Sequence, residues 1–402
     1  MTSVSMEDVH AARELLREVV RPTPLEMSRW LAGLVGGPAY LKCENLQRAG
    51  SFKIRGAYVR IARLSDEERA RGVVAASAGN HAQGVALAAS MLGTKATVFM
   101  PEGAPIVKEK ATRAYGADIR FAGATVDEAL VAAKEYATES GAALIHPFDH
   151  PDIVAGQATV GLEILEQCPD VRTIIVGAGG GGLLAGVSLA VKDSRPDVRM
   201  VGVQATGAAA YPQSLDAGRP IPLDAMTTMA DGIAVACPGE VPFGLVRDLC
   251  DGMVTVTEDW LARALVMLLE RAKLVVEPAG AAAVAAVLAD PSAFDPPVVA
   301  VLSGGNVDPL LMLRVIRHGM AASGRYLSFR VRIRDRPGAL ARLLAELAAA
   351  DANVLDVIHE RTKSQLHVDE VEVALQLETR GAEHRGRVLA ALRKAGYPLS
   401  IE

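Results

Sequence analysis

Cysteine is scarce in this 402-residue chain, with Cys43, Cys168, Cys237 and Cys250 the whole complement. No two of them have a metal-type or redox-type spacing, and a chain of this size needs no disulfides. Reduced thiols are therefore expected. A basic block is missing as well. With 42 Lys and Arg against 47 Asp and Glu the formal charge is −5, which excludes the phosphate-tracking surface of a nucleic-acid binder. Glu7 and Asp8 stand where an export signal needs an apolar stretch, so a cytoplasmic location is expected. Residues 174–191 run for 18 positions without a charge, but six glycines, four of them consecutive, forbid a stable spanning helix. No membrane segment is expected.

What is present is an ordinary globular composition, 50% hydrophobic and 22% charged. At roughly 150 residues per domain, the length suggests two or three domains. Short apolar runs (40–43, 73–76, 96–100, 174–176, 200–203, 253–256 and 298–302) alternate with helical patterns at 81–92, 104–115, 126–138 and 258–273. Runs of this kind suit strands buried on both faces of a parallel sheet, and the alternation predicts an open α/β architecture. Ligands collect at the strand ends of such sheets. After a linker expected at 318–325, the order becomes strand 326–334, helix 339–350, strand 353–361, strand 368–377, helix 383–395 and strand 398–401. That is the ferredoxin-like βαββαβ unit.

Several strand ends carry chemistry. In Gly50-Ser51-Phe52-Lys53-Ile54-Arg55-Gly56, Ser51 reads as an N-cap that places Lys53 in the first turn of a helix. The positive end of a helix disfavours another cation, so a lysine with a lowered pKa, or one consumed as an imine, suits the position. An exposed lysine tolerated at little cost fits it too. Ser77-Ala78-Gly79-Asn80-His81 precedes a helix whose free amides can hold a carboxylate or phosphate, though a simple capped turn would look the same. In the run Gly177 to Leu183, the residues Gly177, Gly179 and Gly182 satisfy G-x-G-x-x-G. A dinucleotide site would need an acid at the end of the next strand, and Gln204 stands there. What remains is a phosphate loop made of Gly179, Gly180, Gly181, Gly182 and Leu183, or else a glycine loop kept for tight packing. Leu302-Ser303-Gly304-Gly305-Asn306 and Glu277-Pro278-Ala279-Gly280 are weak alone. His146 and His150 are spaced i, i+4, but nearby prolines keep them off one helical face, so no metal site is expected.

Taken together and in order, these motifs closely resemble the fold type II pyridoxal phosphate enzymes, most closely the threonine ammonia-lyases, from about Pro22-Thr23-Pro24-Leu25 to Asp308. Leu41-Lys42-Cys43-Glu44-Asn45-Leu46-Gln47 belongs to the same set. The resemblance implies a tryptophan-synthase-β-like α/β fold of two open parallel-sheet subdomains over residues 1–320, the smaller inserted at about 50–150. It implies pyridoxal 5'-phosphate as cofactor, bound as an imine to Lys53 beside Phe52. Asn80 would hydrogen-bond the ring hydroxyl, Gly179 to Leu183 would hold the phosphate, and Ser303 would face the ring nitrogen. Ser77, Ala78, Gly79, Asn80 and His81 would hold the substrate carboxylate. The implied reaction is deamination of L-threonine to 2-oxobutanoate and ammonia, the first step toward isoleucine, with L-serine as a secondary substrate.

Residues 326–402, with Asp335-Arg336-Pro337-Gly338-Ala339-Leu340, resemble an ACT regulatory domain. This implies an amino-acid effector near Asp335, Gly338, Ala339 and Leu340, and a homo-oligomer, dimer or tetramer. Against the related serine racemases, a second serine in the turn is replaced by Ala78. The metal carboxylates are replaced by Gln204 and Ala210, which cannot supply a charged ligand. Racemisation is therefore not expected. A neutral serine opposite the ring nitrogen also favours elimination, because an unprotonated ring is a weaker electron sink for a long-lived carbanion.

Overall fold

The computed structural model describes residues 4–361 and 366–401; residues 1–3 and 402, the ends of the expected domain spans, lie outside them. Two compact units are present, Met1–Met312 and Leu313–Glu402.

The first unit holds two sheets. One has six strands, β1 (Leu25–Met27), β2 (Ala39–Lys42), β7 (Thr173–Gly177), β8 (Arg199–Ala205), β9 (Gly252–Val256) and β10 (Val298–Val301), in the order β1-β2-β10-β7-β8-β9. Every pairing is parallel except β1 with β2. The other has β3 (Val73–Ala76), β4 (Ala96–Met100), β5 (Asp118–Phe121) and β6 (Ala143–Leu144), all parallel in the order β5-β4-β3-β6. It is built wholly from chain lying between β2 and β7. Strands β3, β4, β7 and β10 are buried at every position, which is why they read as unbroken apolar runs.

Helices 53–62 and 151–167 meet through glycine. A Cβ on Gly156 would stand 2.6 Å from the Cα of Gly56, so the close approach depends on both residues lacking one. Charge fixes the same contact. Arg55, fully buried, donates to both carboxylate oxygens of Glu44 at 2.8 Å and to Glu163 at 2.7 Å. Lys42 Nζ donates to Glu163 at 2.5 Å. Removing one member of such a network strands a buried charge, at about 3–5 kcal/mol.

The second unit is βαββαβ, with β11 (Tyr326–Arg334), β12 (Asn353–Glu360), β13 (Glu370–Glu378) and β14 (Leu399–Ile401) in an antiparallel sheet ordered β12-β13-β11-β14. Alternate residues Leu327, Phe329, Val331 and Ile333 face one core with Leu343, Leu347, Val388 and Leu392 of the two helices.

Two expectations need correction. The linker at 318–325 is helical through Ala322, because the helix Pro309–Ala322 continues until Gly324 turns left-handed at φ +71°. The helix expected at 258–273 is α-helical only to Met267 and continues as a π-helical turn, Leu268–Ala272, that ends at left-handed Lys273.

Candidate active site

Lys53 opens the helix Lys53–Ala62, but not through the expected cap. Phe52 occupies the N-cap in a helical conformation, Ser51 is extended, and the Ser51 hydroxyl is buried with no partner. The lysine is therefore placed by the chain path. The Phe52 amide donates to Ser303 O at 3.2 Å, tying the start of the helix to the end of β10. Lys53 Nζ donates to Pro147 O at 2.9 Å and lies 5.1 Å from the Phe52 ring centroid. Burial brings its pKa down to about 8, against the opposing pull of Glu277. An amine so depressed is partly neutral near pH 8 and can act as nucleophile or base.

The turn after β3 begins the helix Asn80–Met91. Two of its amides are already taken, Ser77 N–H by Phe99 O at 3.0 Å and Gly79 N–H by the Ser77 hydroxyl at 3.1 Å. This narrows the expected carboxylate cradle to the N–H groups of Ala78, Asn80 and His81, for which no described residue supplies an acceptor. The His81 ring binds Ile145 O at 2.8 Å, and burial drives its pKa to about 3. It is a neutral, structural imidazole.

Asn80 meets two residues that sequence reasoning left unassigned. Its Nδ2 donates to Glu277 Oε1 at 2.5 Å, and its Oδ1 accepts from Asn306 Nδ2 at 2.8 Å. Asn306 also donates to Ala49 O at 2.7 Å. Glu277 is 3% exposed, and burial, with the charge of Asp231 adding to it, raises its carboxyl to about 7. The only sequence signal for Glu277 was an acid opening an alanine-rich helix. Ser303, 6% exposed, follows β10 on the same wall.

The glycine loop runs from β7 into the helix Gly182–Ser194. Its lack of side chains is demanded by the surrounding protein. A Cβ on Gly180 would fall on the Phe148 ring and one on Gly181, at φ +98°, on the Tyr211 hydroxyl. Gln204 pins the loop from behind, donating to Ala178 O at 3.1 Å and accepting from Tyr211 N–H at 2.8 Å. Meanwhile none of the described residues accepts from the N–H of Gly179, Gly180, Gly181, Gly182 or Leu183, although Gly180 to Leu183 are buried. Consecutive buried donors without partners are rare in proteins, and together at a helix N-terminus they fit a phosphate. The packing reading of this loop is thus met, and its amides without partners are what the anion reading requires.

His146 and His150 serve as backbone acceptors: His146 Nδ1 takes Asp149 N–H at 2.8 Å and His150 Nδ1 takes Asp152 N–H at 3.1 Å. In the second unit, a cavity of about 320 Å³ is lined by Asp335, Gly338, Ala339, Leu340, His359 and Arg361. Arg361 Nε donates to Asp335 at 3.1 Å, which holds that carboxyl below its ordinary range. Ala339 N–H is taken by Arg336 O at 3.1 Å, while the N–H groups of Gly338 and Leu340 have no acceptor among the described residues.

A half-buried lysine of depressed pKa, a glycine loop whose amides have no partner among the described residues, and polar strand-end residues between two largely parallel sheets suit a phosphorylated aldehyde cofactor. Residues 16–304 match the family of pyridoxal-phosphate dependent enzymes and residues 327–396 match the ACT domain, and the chain belongs to that enzyme family with a C-terminal ACT domain. It is 46% identical to the L-threonine ammonia-lyase of Thermotoga maritima, over 99% of each chain, and 46% identical to that of Geobacter sulfurreducens, over 98% of each. Among solved structures, the T.th. threonine deaminase is 43% identical with a TM-score of 0.72, covering 76% of this chain and 99% of that one. Maize serine racemase is 37% identical with a TM-score of 0.74, covering 78% of this chain and 96% of that one. The expected family, fold class and cofactor are borne out.

Proposed function

We propose that this protein deaminates L-threonine to 2-oxobutanoate and ammonia, with L-serine as a secondary substrate. The observation that carries this reading is full-length likeness to L-threonine ammonia-lyases, ACT domain included, combined with the lowered pKa of Lys53. When bound, pyridoxal 5'-phosphate supplies an aldehyde that links to an amine and a conjugated ring that draws electrons from Cα.

The residues divide the remaining work. The amides of Gly179 to Leu183 would hold the phosphate, Asn80 would hydrogen-bond the ring hydroxyl, and Ser303 would serve the ring nitrogen. The N–H groups of Ala78, Asn80 and His81 hold the substrate carboxylate, with Ser77 and Gly79 shaping the turn. Lys53 Nζ takes the Cα proton as general base. The β-hydroxyl departs as water, and a second water releases ammonia and leaves the keto acid.

An amino-acid effector, isoleucine in this reading, occupies the Asp335–Arg361 cavity and lowers activity, as suits a first step toward isoleucine. The chain works as a homo-oligomer in the cytoplasm; no helix among the described residues is long and apolar enough to cross a membrane. Keto-acid formation from threonine and from serine by the purified, cofactor-loaded protein tests the reading, and no product from either would overturn it.

A further inference from the structure

Lys108 is a nearly buried cation, 9% exposed, that none of the steps above uses. It belongs to the helix Ile106–Ala114, whose neighbouring strands are those of the four-stranded sheet. Its Nζ donates to Asp231 Oδ2 at 2.5 Å. Asp231 comes from a different wall, in the short turn Asp231–Ile233. That turn lies against the glycine loop, since a Cβ on Gly179 would stand 3.0 Å from Ile233 Cα. It also lies against the helix start at Glu277, since a Cβ on Gly232 would stand 2.8 Å from Ala279 Cβ. The ion pair thus crosses the cleft between the two sheets of the first unit.

On its other side, Lys108 overlooks the turn after β3. The heavy atom nearest to a Cβ built on Gly79 is Lys108 Nζ, at 3.8 Å. The free amides there are uncharged, the His81 imidazole is neutral, and Lys53 is committed to the cofactor. A carboxylate seated on this turn needs a positive partner as it leaves water. Among the residues described at the turn, Lys108 supplies it.

We propose that Lys108 is a substrate-recognising residue whose ammonium binds the α-carboxylate of the amino acid, with Asp231 as the anion that competes for it. The inference rests on the reading of Ala78, Asn80 and His81 as the carboxylate cradle. It deepens the proposed function by assigning the charge that selects amino acids over amines. The exchange is of one carboxylate for another at the same ammonium, and the displaced Asp231, whose side chain is 55% exposed, is left to water rather than stranded in a buried site.

The test uses the full-length, cofactor-loaded protein, with loading of each variant checked by its visible absorption. Lys108→Met should raise the threonine KM about tenfold to a hundredfold, the loss of one charged hydrogen bond, with a smaller effect on kcat. Lys108→Arg should recover most of the affinity. The decisive comparison is binding read from the cofactor spectrum, with L-alanine as a non-eliminating amino acid and with the amino alcohol that carries CH2OH in place of its carboxylate. Lys108→Met should weaken the first and leave the second within about twofold of the parent, while Asp231→Asn should tighten the first. Equal weakening of both ligands, or unchanged alanine binding, would overturn the assignment. Weaker alanine binding in Asp231→Asn would overturn the competition. Because these titrations need no turnover, they stay readable even if the parent protein fails to deaminate threonine, which would count against the proposed function instead.

Discussion

Asn80 Nδ2 and Glu277 Oε1 lie 2.5 Å apart although 197 residues separate them in the chain. Asn80 follows β3 of the four-stranded sheet, and Asn306, which holds its Oδ1, follows β10 of the six-stranded one. The two sheets are therefore linked through this amide, whose orientation is set at both its nitrogen and its oxygen. One Nδ2 hydrogen is engaged by Glu277, and the other is available to a ligand. Four expectations follow from this geometry and its surroundings, beside the test of Lys108.

Lys53→Ala removes both the attachment point and the base. Turnover of threonine should fall by at least the ~10²–10⁴-fold of a lost general base, and in practice to background because cofactor linkage goes with it. The visible band should vanish while far-ultraviolet circular dichroism stays unchanged. Near-parental 2-oxobutanoate production by the purified variant, supplied with pyridoxal phosphate, would reject the assignment.

The pH dependence of cofactor capture has a definite sign. Burial lowers Lys53 to about 8 from an ordinary 10.5, so its neutral form grows as pH rises through about 8. The rate at which cofactor-free protein regains its visible band should therefore climb between pH 7 and 9 and level off above. A midpoint near 10 would mean that the lysine is solvated in the free protein.

In the proposed reading Ala78 stands where the related racemases carry a serine, and its side chain has no proton to give to Cα. Racemisation should be negligible beside elimination, and chiral analysis of serine left after partial turnover measures it directly. Substantial D-serine would refute the argument from Ala78. Ala78→Ser is the matching gain-of-function variant, and any rise in D-serine formation is expected there.

Isoleucine should lower activity at subsaturating threonine, with valine as the comparison ligand. A coupling of ~1–3 kcal/mol corresponds to a several-fold to hundredfold change in threonine affinity. Gly338 is left-handed at φ +80°, so Gly338→Val strains the backbone and puts a branched side chain beside the cavity. The isoleucine concentration for half effect should rise at least tenfold in this variant. An unchanged response would remove the effector from this cavity, and activation would keep the site but reverse its regulatory sense.

The sequence by itself determined most of what local pattern can encode. Buried runs such as 73–76 and 298–301 declared parallel strands because both of their faces are apolar, and the order of elements from 326 to 401 declared the βαββαβ unit. Lys53, Asn80 and the glycine loop were legible because each sits within a short motif at a strand end. Caps and hydrogen-bond partners were not legible in this way. Ser51 has the chemistry of a cap yet lies extended, its hydroxyl without a partner among the described residues, because a bridge to Gly304 fixes its backbone. Only the tertiary structure brings Glu277, Asn306 and Lys108 beside the turn after β3, and Asp231 beside Lys108. Their roles depend on pairings across two sheets, and an isolated acid or lysine looks the same in sequence whether it is solvated or buried. Burial and the distant Asp231, rather than neighbours in the chain, raise the Glu277 carboxyl to about 7.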